Sequence, residues 1–264
     1  MIDPPAIDVH THIGLGTDPV PPSKVEAYLA RAAELGIAVS WISRPFTGVG
    51  LETAAPEVMS EGNRMVAEEV ARHPRELRGY VFAHPGHRDW SIAEMERWLD
   101  RPGMIGVKLY HQYLFDDPLL VPIVEAAARR GAVVLLHQGK CMDEATRAAQ
   151  PLISDGTHIA RLAARVPEAR LLCGHIGGGG DWEWTVKALK RSPSVCVDTS
   201  GSVIDAGMVE FAVRELGVDR VLFATDMSLE EGVGKVLGAE LSGAERTAIF
   251  GGNAERLLGG GSAA

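Results

Sequence analysis

Two histidines two positions apart, His10 and His12, follow Asp8 near the start of the chain in the run Asp8-Val9-His10-Thr11-His12. On a strand, alternate side chains share a face, so both imidazoles leave on one side and stand close enough to bind a single cation. Two nitrogens do not complete a metal centre, but groups of suitable chemistry recur further along: Lys108, His137, His175 and Asp226. Each falls at the end of an apolar, β-branched run. Nitrogen together with carboxylate oxygen suits zinc first, with manganese or iron as alternatives. A divalent ion lowers the pKa of bound water from about 15.7 to about 7, which makes hydroxide available at neutral pH. Neutral imidazoles leave the ion's charge intact, and a carboxylate such as Asp226 can take the water's proton and pass it on.

The elements that must carry these groups follow from periodicity. Short apolar runs alternate with amphipathic stretches, the pattern of successive strand–helix units. Strands are predicted at 7–12, 37–43, 77–83, 104–109, 132–137, 170–175, 195–199 and 220–225. Helices are predicted at 24–35, 57–72, 92–100, 119–130, 157–166, 182–190, 208–216 and in a C-terminal run through 245–258. Punctuation by Gly36, Pro74, Gly131, Pro167 and Gly217 agrees with several helix ends. Eight nearly continuous apolar strands, each followed by a helix, predict an α/β fold, a (β/α)8 TIM barrel in one domain over 1–258, with 259–264 as a flexible tail. An open doubly wound sheet is the alternative, but no strand leads into a phosphate-binding glycine motif.

In a barrel the strand ends share one rim, so His10, His12, Lys108, His137, His175 and Asp226 are expected to converge on one pocket. Arg44 and His84, after the second and third strands, reach the same rim and are candidates for a substrate carboxylate, with Tyr110 lining the strand-four side. Asp8 lies one step deeper on the histidine face and reads as a carboxylate that supports the ligands. Segment 45–56, with Gly48 and Gly50, is the expected lid. The glycines at 177–180 could let the protein backbone approach a ligand or cradle a phosphate, though Asp181 opposes an anion. Trp182 and Trp184 read as helix packing, and Cys173 as an inert core thiol.

Composition narrows the classes of function. The 264 residues are 46% hydrophobic and 23% charged, enough apolar material for a sizeable core. A net charge of −9 without a basic stripe argues against nucleic acid. Three widely spaced cysteines, Cys141, Cys173 and Cys196, form no disulfide framework, and with no export signal or membrane-length apolar run the expectation is a cytoplasmic protein away from membranes.

Taken together, Asp8-x-His10-x-His12, Gly106-Val107-Lys108-Leu109, His137, Gly174-His175-Ile176-Gly177-Gly178, Thr225-Asp226 and Gly252-Asn253-Ala254-Glu255-Arg256-Leu257 resemble the amidohydrolase superfamily. They are most similar to its amidohydrolase-related branch, which includes the aminocarboxymuconate-semialdehyde decarboxylase-like enzymes. The resemblance spans nearly the whole chain. It implies that His10, His12, His137 and Asp226 hold one divalent metal, and that His175 polarises the metal-bound water or shuttles its proton. Lys108 would be a second-metal ligand if carbamylated, as in dinuclear relatives, but the mononuclear arrangement is preferred. The first expectation is a metal-dependent hydrolase in which activated water attacks an ester, lactone or amide of a small molecule. The alternative is a non-oxidative decarboxylase of an unsaturated or aromatic acid on the same site, and a third reading is a metal-binding barrel without catalysis. The resemblance also implies a homodimer.

Overall fold

Eight apolar runs pair side by side because each is buried on both faces and must satisfy its backbone groups with a neighbour. In the computed structural model, which describes residues 2, 4–48, 54–139, 143–176 and 178–259, they form one parallel sheet in the order β1 to β8. The strands are β1 (Ala6–Thr11), β2 (Ile37–Ile42), β3 (Leu77–Phe82), β4 (Met104–Leu109), β5 (Val133–His137), β6 (Arg170–Gly174), β7 (Val195–Asp198) and a short β8 (Val221–Leu222). The barrel closes where Val9 N–H donates to Phe223 O at 3.0 Å and Asp226 N–H to His10 O at 2.8 Å. The predicted TIM barrel is therefore the observed fold.

Helices α1 (Pro22–Glu34), α2 (Pro56–Arg72), α3 (Arg88–Trp98) and α4 (Val121–Arg129) follow the first four strands. After β5 come α5 (Glu144–Ala149) and α6 (Gly156–Arg165), then α7 (Trp182–Leu189), α8 (Met208–Leu216) and α9 (Leu229–Gly238) after the last three strands. The chain ends through α10 (Gly243–Thr247), a π turn at Ala248–Gly252 and α11 (Asn253–Leu257). Two helices differ from the sequence expectation. The short α5 has too few turns to show a period, and α9 carries Gly232, Gly234 and Gly238, which mask its helical pattern. Gly232 is required by proximity: a Cβ there would lie 2.9 Å from Ala224 O. The eighth helix is thus α9, and the predicted C-terminal helix is broken into α10, the π turn and α11.

Val9, Trp41, Tyr80, Val133, Leu135, Leu172 and Leu222, from six strands, meet in a buried cluster, an arrangement only the barrel interior permits. Gly106 makes room for it, since a Cβ there would lie 2.2 Å from Val133 O and 2.9 Å from the Tyr80 ring. A larger apolar layer joins the strands' outer faces to the helices. On this rigid wall the strand ends hold the polar groups in place. Among the described residues no helix is long and apolar enough to cross a membrane.

Candidate metal centre

β1 delivers His10 and His12, β5 ends in His137, His175 follows β6, and Asp226 follows β8. Their donor atoms form two groups that share His10: His10, His137 and His175 in one, and His10, His12 and Asp226 in the other, each within 4.8 Å. His137 Nδ1 lies 2.9 Å from His175 Nε2, and Asp226 Oδ1 lies 3.2 Å from His12 Nε2 and 3.8 Å from His10 Nε2. At metal–ligand distances near 2.1 Å, neighbouring donors around an ion stand roughly 3.0–3.4 Å apart. Within each group the donor types suit a divalent ion; the expected set His10, His12, His137 and Asp226 is split between the two groups, which meet at His10.

The protein holds this arrangement against local backbone preference. His175, Asp226 and Met227 adopt positive φ angles of 63°, 44° and 76°, conformations that cost a non-glycine residue about 1–3 kcal/mol each. Gln138 Nε2 donates to His175 O at 2.6 Å, and Asp226 N–H is tied to His10 O. Gly174 lets the His10 ring in, since a Cβ there would lie 3.0 Å from its Cε1. Asp226 does not cap a helix: α9 begins at Leu229, after Ser228.

Electrostatics prepare the donors. Burial lowers the pKa of His10 to about 3, with Lys108 acting in the same direction, and burial and His175 hold His137 well below the usual histidine value. Burial also lowers His175, against the opposing pull of Asp226. These rings are therefore neutral at neutral pH. Burial alone would raise Asp226, but its neighbours His175, His12 and His10 outweigh burial and keep the carboxylate ionised. Lys108 is fully buried with Nζ 2.8 Å from His10 Nε2, and burial lowers its pKa to about 7. Tyr110 stacks on His137 with ring centroids 3.9 Å apart, and burial raises its phenol to about 12.

Not every candidate reaches the centre. Arg44 is turned into the loop after β1: Nε donates to Gly16 O at 2.8 Å, and Nη2 contacts the carbonyls of Leu15 and Asp18. His84 accepts from Gly86 N–H at 3.2 Å and packs edge-on to Tyr113, inside the turn after β3. The expected lid is anchored at Phe46 and Gly48, whose carbonyls accept from Gln112 Nε2, while Gly50 lies outside the described residues. Asp8 supports the closure, accepting from His10 N–H and Thr225 N–H at 3.1 Å each and from Thr225 Oγ1 at 2.6 Å.

Asp198 was not among the sequence candidates. It is fully buried at the end of β7, where Oδ2 lies 2.9 Å from His10 Nδ1 and Oδ1 accepts from His175 N–H at 2.9 Å. Burial would raise its pKa, but His10, His175 and Ser200 outweigh burial and bring it to about 2. The available signal was its place on the same rim, the strand end Asp198-Thr199-Ser200.

A cavity of about 220 Å³ opens directly on His137, His175 and Asp226, between the loops after β5, β6, β7 and β8. A larger space of about 780 Å³ between α8 and α9 includes none of the candidate ligands.

The family model described as Amidohydrolase matches residues 7–260. Gamma-resorcylate decarboxylase of Polaromonas sp. (strain JS666 / ATCC BAA-500) is 22% identical, covering 78% of this chain and 77% of that protein. The solved 2,6-dihydroxybenzoate decarboxylase from Rhizobium superimposes with a TM-score of 0.77 at 17% identity, covering 97% of this chain and 98% of that one. Dihydroxybenzoic acid decarboxylase from Polaromonas sp. JS666, with bound manganese and the inhibitor 2-nitroresorcinol, gives 0.76 at 18% identity and 97% of both chains. The activities of these relatives are decarboxylations, and they overturn the first expectation of a hydrolase. The expectation of a metal stands as a divalent ion rather than zinc in particular. With nearly its whole length matched by one family model, the chain belongs to the amidohydrolase family, as its strand-end motifs imply.

Proposed function

We propose that this protein is a divalent-metal-dependent, non-oxidative decarboxylase of a small hydroxylated aromatic acid. The observation that carries the reading is the cavity of about 220 Å³ whose wall includes His137, His175 and Asp226. A cavity of about 150 Å³ accepts benzene, so this space suits one substituted ring. The named activities of the relatives select decarboxylation among the reactions such a centre supports. A metal-binding barrel without catalysis is disfavoured, because it calls for a closed pocket rather than a cavity at the ligands.

In this reading His10, His12, His137 and Asp226 hold one ion, zinc or manganese, and His175 stands beside it. When bound, the ion supplies Lewis acidity that orients the acid's oxygens at the mouth of the barrel. Tyr110 covers one face of His137 and restricts water there. Asp226, ionised at rest, takes up a proton from solvent and passes it on, with neutral His175 beside it, Nδ1 standing 3.6 Å from Asp226 Oδ2. Delivered to the ring carbon that bears the carboxylate, the proton forms a C–H bond. The bond from that carbon to the carboxyl carbon then breaks, its electron pair restores the ring, and carbon dioxide leaves. One proton is consumed and no oxidant or reductant is needed.

The test is turnover of 2,6-dihydroxybenzoate and related hydroxybenzoates by Mn2+-loaded protein, read as carbon dioxide release together with loss of the acid. Asp226→Asn and His12→Ala are expected to lower the rate by at least about 10²-fold, at the lower end of what positioned proton transfer contributes. Wild-type rates in both folded variants, or no carbon dioxide from any member of the panel, would refute the proposal.

A further inference from the structure

Hydrogen atoms in this centre are directed by a carboxylate outside the proposed ligand set. Asp198 Oδ1 accepts three times: from His175 N–H at 2.9 Å, from Ser200 N–H at 3.0 Å and from the Ser200 hydroxyl at 2.6 Å. Asp198 Oδ2 faces His10 Nδ1 at 2.9 Å. A carboxylate offers only acceptors, so the His10 proton lies on Nδ1 and the lone pair on Nε2. Ser200 has one hydroxyl proton, and it is committed to Asp198. Its oxygen, 3.0 Å from His175 Nδ1, therefore accepts from that nitrogen and leaves the lone pair of His175 on Nε2 as well.

We propose that Asp198 is a positioning residue that, directly and through Ser200, fixes the tautomers of His10 and His175 so that both present an unprotonated Nε2 to the centre. The inference rests on the metal-dependent reading of the site. His12 provides an internal control, because its Nδ1 is held by a different acceptor, the Ser43 carbonyl at 3.0 Å.

The geometry makes Asp198→Asn an informative substitution. Three donors converge where Oδ1 stands, so the amide oxygen must occupy that position and the amide NH2 must face His10 Nδ1. His10 then accepts at Nδ1 and carries its proton on Nε2, facing the lone pair of neutral Lys108 Nζ 2.8 Å away and standing where the ion would bind. An acidic residue exchanged for its amide beside a catalytic histidine produces the same tautomer error in serine proteases.

The experiment uses 15N-histidine-labelled full-length protein. Long-range 1H–15N spectra of the metal-free form report each tautomer, and Mn2+ titration followed by electron paramagnetic resonance reports affinity. In Asp198→Asn, His10 is expected to change tautomer, His12 to stay as it is, and Mn2+ affinity to fall by about 10–100-fold, the usual effect of losing a partner behind a metal ligand. In Ser200→Ala, His175 is expected to lose its fixed tautomer, together with His137, whose Nδ1 lies 2.9 Å from His175 Nε2, while His10 and His12 keep theirs. Unchanged His10 tautomer and Mn2+ affinity in folded Asp198→Asn overturn the inference and leave the proposed function standing. Should that variant fail to fold, an unchanged His175 in Ser200→Ala overturns it instead. Wild-type protein that binds no Mn2+ defeats the functional reading, and the metal-free spectra still decide the role of Asp198.

Discussion

Replacing Arg44 with alanine is expected to unfasten the loop after β1 while leaving KM for the proposed aromatic acid nearly unchanged. Arg44 is 5% exposed, and the firm bonds of its guanidinium go to the carbonyls of Gly16 and Asp18, with a weaker contact of 3.4 Å to Leu15. Two charge-assisted bonds at about 1.5 kcal/mol each, the low end because the released carbonyls regain water, give a loss of about 3 kcal/mol. For a domain of this size one kcal/mol moves Tm by about 2–4 °C, so a fall of roughly 6–12 °C is expected in calorimetry. Arg44→Lys should recover only part of it, since one ammonium cannot reproduce the guanidinium fork. Steady-state kinetics on 2,6-dihydroxybenzoate should show KM changed by less than about twofold, as expected when no substrate hydrogen bond is lost. An unchanged Tm with KM raised tenfold or more would refute the argument and return Arg44 to the substrate.

Metal removal gives a second test: adding Mn2+ at about 100 times its Kd to chelator-stripped protein should stabilise it by about 2.7 kcal/mol, and identical melts with and without Mn2+ exclude a built site. Burial pushes the Asp8 carboxyl up from 3.8 to about 7, so between those values the folded protein holds a proton that the unfolded chain has released. This group's contribution to stability therefore falls as pH rises through that window and is flat above it, on the order of 4 kcal/mol in all. Urea unfolding of wild type and Asp8→Asn at several pH values isolates the difference, and a difference independent of pH contradicts it. Gly106→Ala forces a Cβ to 2.2 Å from Val133 O and should destabilise the barrel by at least about 3 kcal/mol; a melt unchanged within error disproves the close approach of β4 and β5.

The barrel was legible because its strands are apolar throughout and its helices are punctuated, and the convergence of His10, His12, His137, His175 and Asp226 followed once the strand ends were located. The direction of Arg44 is not legible for a physical reason: sequence places a long side chain on a rim but does not say whether it turns toward the mouth or back into a neighbouring loop. Asp198 escaped notice because a carboxylate after a strand reads equally well as a turn or cap residue, and its partners lie 188 and 23 positions away. Reaction type was the least legible feature. Water activation and proton delivery to carbon use the same imidazoles and carboxylate, and the loops that choose between them carry no periodic signal.

The seam between β1 and β8 joins the earliest and latest strands to be synthesised, and each brings part of the centre: His10 and His12 from one, Asp226 from beyond the other. If these groups hold the ion as proposed, a nascent chain lacks a full set of donors until its final strand docks, which would make ion capture a checkpoint on completed folding. Cellular metal would reward finished barrels and pass over partly made ones.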